Sequence, residues 1–264
     1  MENNQDLTER QARELEYHRG RAALYEKRQA RVNYDVAISD QRRWWNAHWE
    51  MFHEIRKLDL TTTKALVVGC GSGFDAMQLA KLGASVTAFD LSPEMIALAK
   101  NTAEEEGLSI NFVISPAENL EFEDDSFDLV LARDILHHCE IPKTVTELKR
   151  VTNAGAYFVI NEIYSHSWTY KIRDNHFIQK YLYPLVVKQI YGTSDPYITD
   201  DERKIDEDDL VLINELFGDL QLETYFDFVV GRLISKKKTK VAKLDRLFTR
   251  LIGRLSRFLG GRVL

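Results

Sequence analysis

The sequence predicts an α/β chain built round a mostly parallel sheet, and three observations carry that prediction. The run Ala65-Leu-Val-Val68 is short, apolar and rich in β-branched residues, as suits a strand covered on both faces. It leads into Gly69-Cys-Gly-Ser-Gly73 and then into a helical pattern opening near Phe74 or Asp75. From there strand-like and helix-like segments alternate to about Ile160, which implies parallel strands joined by right-handed crossovers.

The glycine turn is the first element with chemistry in it. Glycines at alternate positions permit positive φ and let backbone approach a ligand that a Cβ would exclude. The free N–H groups of the following helix point into the same crevice, at the carboxyl end of a first strand, where nucleotide-like ligands bind. The pattern is G-x-G-x-G rather than the G-x-G-x-x-G of dinucleotide sites, and Asp75 follows it. A carboxylate there repels a pyrophosphate and suits an amino group or a sulfonium, which disfavours NAD. For the glycines alone, an ordinary strand-to-helix turn is the competing reading. Ser85-Val-Thr-Ala-Phe-Asp90 then reads as a second strand ending in an acid, placed where a carboxylate can bind ribose hydroxyls. A helix follows, with Ser92 as N-cap and Pro93 at its first position.

With V-V-G-C-G-S-G, F-D-L-S-P-E-M, A-E-N-L and D-D-S-F-D-L-V-L-A in place, residues from about 63 to 160 resemble the class I S-adenosylmethionine-dependent methyltransferases. The resemblance implies a Rossmann-like, seven-stranded, mostly parallel sheet with an antiparallel final hairpin, and S-adenosyl-L-methionine as cofactor. It implies that Gly69, Gly71 and Gly73 cradle the methionine moiety, that Asp90 holds the ribose hydroxyls and that Leu91 flanks the adenine. Asp75 and Arg133 would line the same pocket. One departure is visible: many relatives end the third strand in Gly-Asp-Ala, and this chain has Ser115-Pro-Ala-Glu118. Proline supplies neither a carboxylate nor an N–H, so base recognition would fall to the Ala117 amide and Glu118.

Along the chain, residues 1–60 read as N-terminal helices without proline or strand-like alternation. Trp44, Trp45, Trp49 and Phe52 form an aromatic patch there. It either packs the helices on the sheet or, with Tyr17 and Tyr25, closes over cofactor and substrate. Residues 61–235 read as the methyltransferase-like core. Its third to fifth strands fall at Ile110–Ile114, Phe127–Ala132 and Tyr157–Ile160, with a helix at Lys143–Val151. Residues 161–218 form an insertion rich in aromatics, where the resemblance implies a substrate cap; it is too long for a simple crossover and so expected to have helices of its own. Its acidic stretch, Asp200–Asp209, reads as a solvated face or a helix start. Leu220–Phe228 and Arg232–Ser235 read as the last two strands, paired as the hairpin.

Composition bounds the rest. A chain of 264 residues suffices for one decorated catalytic domain, and 44% hydrophobic with 29% charged residues exclude a disordered chain. Two cysteines, Cys70 and Cys139, make neither a disulfide framework nor a metal cluster, so no metal is expected. The polar start lacks the apolar stretch of a signal peptide, and no window approaches the roughly twenty apolar residues of a spanning helix. The expected location is the cytoplasm. The net charge of −6 hides an asymmetry: residues 236–264 hold ten lysines and arginines against Asp245 alone, +9, leaving −15 for the rest. Within that tail Val241, Leu244, Leu247, Phe248, Leu251, Ile252, Leu255, Phe258 and Leu259 share one helical face, opposite Lys243, Arg246, Arg250, Arg254 and Arg257. Such a helix over 240–259 suits an anionic membrane surface, which would make the protein peripheral at the inner membrane. It also suits packing on the chain's own acidic part or in a homodimer. Nucleic acid fits least, because both aromatics lie on the apolar side.

Methyl transfer from a sulfonium asks mainly for placement in a dry site. A hydroxyl or phenol acceptor benefits from a base as well, expected just beyond the fourth strand. That segment is Arg133-Asp-Ile-Leu-His137-His138-Cys139, and histidine titrates in the right range. Similar small-molecule methyltransferases carry His-His here, and the resemblance favours His137. The competing reading makes both histidines packing groups in the pocket floor. Tyr164 and His166 are further acceptor contacts. The function expected is methyl transfer to a small or amphiphilic, lipid-like acceptor. The alternatives are a soluble natural-product methyltransferase and a non-catalytic binding protein of the same fold.

Overall fold

The structure is a computed structural model, and it describes residues 7–29, 33–34, 38, 47–162, 175–182, 203, 205–218, 223–225 and 261–263. Two helices come first, α1 (Glu9–Gln29) and α2 (Ala47–Ile55). Strands and helices then alternate: β1 (Lys64–Val68), α3 (Phe74–Lys81), β2 (Ser85–Asp90), α4 (Pro93–Glu105), β3 (Asn111–Ile114), β4 (Phe127–Arg133), α5 (Ile141–Val151) and β5 (Thr152–Glu162). The five strands lie in the order β3-β2-β1-β4-β5, all parallel. This is the Rossmann-like α/β architecture expected from the sequence, and it puts every strand's carboxyl end along one edge.

Each strand is apolar because both faces of the sheet are covered. Ala65, Val67, Leu129 and Leu131 face one core with Met51, Phe52 and Ile55 of α2 and Met77 and Leu79 of α3. Leu66, Val68, Val130 and Ala132 face the other with Ile141, Val145 and Leu148 of α5. Alternate residues of one strand thus feed opposite layers. Local signals start the helices where expected. Ser92 caps α4, its Oγ accepting from the Met95 amide, and Pro93 stands at the first position. Ser92→Ala is expected to lower stability by about 1 kcal/mol, the usual cost of a lost N-cap, measured by denaturant unfolding. The acidic stretch is a helix start: Asp206 and Asp209 form a reciprocal cap on α6 (Glu207–Phe217).

The end of the sheet differs from expectation. Among the described residues five strands, not seven, make up the parallel sheet. Beyond β5 lie two three-residue segments, Gly261–Val263 antiparallel to β5 and Glu223–Tyr225 antiparallel to Gly261–Val263. Among the described residues the partner of Glu223–Tyr225 is Gly261–Val263, and the expected partner, Arg232–Ser235, falls outside the described residues. Pairing consecutive runs is a sound default, but alternation carries no record of a partner some forty residues away. The cap is described only at 175–182, 203 and 205–218, and the expected helix 240–259 falls wholly outside.

Candidate active site

The site forms where β1, β2, β4 and β5 end. β1 passes into Gly69, whose φ is +57°. A Cβ at Gly69 would overlap Cγ1 and Cδ1 of Ile135, so the turn lies directly against the loop after β4. Among the described residues a Cβ at Gly71 would meet nothing nearer than Met95 Cε at 3.6 Å, which leaves room above that position for a ligand. Gly73 caps α3, which opens at Phe74.

Asp90 ties the two turns together. Its Oδ2 accepts from the Gly71 amide at 2.7 Å and its Oδ1 from the Ser92 amide at 2.9 Å. Its own carbonyl accepts from the Ser115 amide, which draws in the end of β3. Burial pushes the Asp90 carboxyl above its ordinary value, against the pull of the two amides. Each oxygen keeps a further lone pair for an outside donor such as a sugar hydroxyl. Leu91 beside it is half-buried, and Ala117 is buried in the packing around β3.

Asp75 and Arg133 are brought together, though not as open ligand groups. Arg133 Nε donates to Asp75 Oδ2 at 2.6 Å, and its Nη1 donates to Asp134 at 2.7 Å. Burial works against the Arg133 charge, and the two carboxylates more than restore it, so it stays above its ordinary value. The cation that Asp75 was expected to attract is thus Arg133. His48 of α2 lies 3.8 Å from Asp75. Burial, reinforced by Arg133 and opposed by Asp75, pushes His48 from 6.5 down to about 4. Below pH 6.5 the unfolded chain binds a proton that folded His48 refuses, so stability is lost as pH falls from 6.5 toward 4. The loss amounts to about 3 kcal/mol. His48→Gln is expected to remove that part of the acid sensitivity, and parallel stability–pH curves for variant and parent would refute it.

The two histidines stand in a single 3₁₀ turn, Leu136–His138, with ring centroids 4.2 Å apart. Each has its own carboxylate. His137 Nδ1 lies 2.6 Å from Oε2 of Glu162, the last residue of β5, while Glu162 Oε1 accepts from the Ile135 and Leu136 amides at 2.5 and 2.6 Å. His138 Nδ1 lies 3.1 Å from Oε2 of Glu14 on α1. Helix α1 crosses this whole edge. Arg10 Nη2 donates to the His137 carbonyl, Gln11 Nε2 to Glu118 Oε2, and Arg19 Nε to Glu94. The other Glu118 oxygen accepts from the Glu140 amide, so both oxygens of this expected base contact already have protein donors. Glu162, Glu14 and Gln11 are the residues that the sequence reading missed. Glu162 had one signal, an acid at the end of the fifth strand; the other two had none, since their partners are far along the chain.

Residues 66–160 match the family described as a methyltransferase domain. Over these residues the chain is similar to methyltransferase domains. The match takes in the glycine turn, Asp90 and both histidines, and stops just short of Glu162. Among curated relatives, a ubiquinone biosynthesis O-methyltransferase of Xanthomonas euvesicatoria is 32% identical over 115 residues, 39% of this chain and 48% of its own. A probable phthiotriol/phenolphthiotriol dimycocerosates methyltransferase of Mycobacterium ulcerans is 38% identical over 120 residues, 44% of this chain and 46% of its own. The chain spans about half the length of these relatives. Among solved structures, the (4+2)-cyclase SpnF has a TM-score of 0.50 at 17% identity, over 85% of this chain and 82% of its own. That last likeness shows the fold alone.

Proposed function

We propose that the protein transfers a methyl group from S-adenosyl-L-methionine to a small or amphiphilic, lipid-like acceptor. The observation that carries this reading is Asp90, whose carboxylate bridges the Gly71 and Ser92 amides at the mouths of β1 and β2. A cofactor with a diol-bearing sugar fits there, because Asp90 faces it as an acceptor and Gly71 leaves the space that a Cβ would fill. Gly69, Gly71 and Gly73 would hold the methionine end, Asp90 the ribose, and Leu91 and Ala117 the adenine. Bound there, the cofactor supplies a methyl group activated on a sulfonium. The protein's part is to align, to exclude water and to take up the proton of the acceptor, a role this reading gives to His137 or His138.

The amphiphilic acceptor is supported by the two relatives, one named for ubiquinone biosynthesis and one for phthiotriol dimycocerosates. It is supported also by exposed Phe177 and Tyr181 in the cap, whose rings lie 5.1 Å apart with Lys180 Nζ 5.5 Å from the Tyr181 centroid. Aromatic and lysine side chains of this kind suit a membrane–water boundary. No helix among the described residues is long and apolar enough to cross a membrane. Attachment through the basic segment 240–259, peripheral to an anionic surface, is the arrangement we favour over homodimer packing. Calorimetric titration should show binding of S-adenosylmethionine and none of NAD, and absence of the former would end the reading. Anionic liposomes should float the full chain and leave the form lacking residues 236–264 behind; equal flotation would remove the membrane part alone.

A further inference from the structure

We infer that Arg203 is a positioning residue, whose side chain fixes the root of the cap so that its backbone holds the histidine turn at the carbonyl that α1 also holds. This rests on the methyl-transfer reading above and adds to it the residue that registers the acceptor side of the site against the cofactor side.

The His137 carbonyl is where two elements meet. It accepts from Arg10 Nη2 of α1 and from the Arg203 amide of the cap, each at 3.2 Å. A carbonyl oxygen has two lone pairs, room for one donor from each side. The α1 donor goes with the cofactor, because the same helix reaches Glu118 through Gln11 and Glu94, beside the Asp90 turn, through Arg19. The Arg203 amide goes with the acceptor, which on this reading the cap covers. Along the chain, residue 203 stands between the aromatic cap segment 175–182 and α6.

An amide can fix its acceptor only as firmly as its own segment is fixed, and here the guanidinium supplies the anchor. Nη1 donates to Asp209 Oδ2 and Nη2 to Asp209 Oδ1, both at 2.6 Å, and Asp206 Oδ2 lies 3.3 Å from Nη1. This is the two-bond fork that arginine makes with a carboxylate and lysine does not. The Arg203 side chain is 46% exposed, so water screens the charge attraction and the fork matters for its fixed geometry. Asp209 is buried on the first turn of α6. Leu210 and Ile213 of that helix, with Ile205, share a core with Leu136, Cys139 and Ile141 on either side of the histidines. The fork is more than α6 needs. Asp206 and Asp209 already cap the helix reciprocally, and a cation just ahead of a helix start works against the helix dipole. What the fork adds is the placement of residue 203 against the histidine turn. A slip of about 1 Å there would cost of order 100-fold in rate while leaving the cofactor site as it is.

The chain has a single His-His step, His137-His138. Labelling histidine with ¹³C at the carbonyl and with ¹⁵N therefore marks one bonded ¹³C–¹⁵N pair, the His137 carbonyl itself. Hydrogen bonds to that oxygen move its ¹³C resonance downfield. The test uses the full chain with S-adenosylhomocysteine as the probe. Arg203→Ala should move the resonance upfield and keep probe affinity within about threefold of the parent. Arg203→Lys, which keeps the charge and loses the fork, should move it part of the way. Asp206→Ala, which breaks the helix cap and spares the fork, should lower the melting temperature and leave the resonance in place. With a trideuteromethyl-labelled donor and an acceptor that the parent turns over, Arg203→Ala should lose about 10–100-fold in kcat with the donor KM little changed. A resonance unmoved in Arg203→Ala overturns the inference. So does an equal shift in Asp206→Ala, which would make the contact a by-product of helix stability, or an undiminished kcat in Arg203→Ala. A protein that does not bind the probe at all fails at the earlier reading instead.

Discussion

Asp90→Ala is expected to weaken binding of S-adenosylhomocysteine by at least about 100-fold. The sugar hydroxyls lose a charged acceptor, a hydrogen bond of the stronger kind worth about 1.5–3 kcal/mol for each hydroxyl. For two hydroxyls that is about 3–6 kcal/mol, and since each 1.4 kcal/mol is tenfold in affinity, even the lower end exceeds two decades. The Gly71 and Ser92 amides lose their acceptor as well, which costs stability in the free and the bound protein alike. Asp90→Asn keeps one acceptor oxygen and should fall between variant and parent. Calorimetry at pH 7 decides it, and an affinity within threefold of the parent would show that the diol is held elsewhere.

Gly69→Ala is expected to damage fold and site together. At φ +57° an L-residue costs about 1–2 kcal/mol, and forcing a methyl onto Ile135 adds the about 1–3 kcal/mol typical of overpacking. A loss of about 2–5 kcal/mol should lower the melting temperature by roughly 5–20 °C for a chain of this size. The Ile135 amide is held by Glu162, so any shift of its backbone should disturb the histidine loop too. Gly71→Ala makes the contrast. Among the described residues its added Cβ finds only Met95 Cε, at 3.6 Å, so its stability loss should be confined to backbone strain while ligand affinity falls. If the two variants melt alike, the close packing of Gly69 on Ile135 is not what the geometry implies.

The parts of the molecule that the sequence announced are those whose signals are local. Ala65–Val68, the three glycines, the Ser92–Pro93 helix start and Asp90 each declare themselves within a few residues, and all stand where expected in the fold. The sheet's far end did not, because Gly261–Val263 joins β5 by a pairing about a hundred residues long in sequence. Within the site the same division holds. His137 and His138 were visible as a pair, but their carboxylates come from Glu162, 25 residues on, and from the first helix. Asp75 was visible as a charge at a helix start. Its neutralisation by Arg133, 58 residues away, was not. Spacing reveals which groups a segment offers, and only the fold reveals which of them find each other first.

Helix α1 gives the molecule an unusual point of leverage. Arg10, Gln11, Glu14 and Arg19 reach four separate landmarks: the His137 carbonyl, Glu118, the His138 ring and Glu94 beside the Asp90 turn. Anything that binds, bends or cleaves the first twenty residues would therefore act on the Asp90 turn and the histidine turn at the same moment, without touching the sheet beneath.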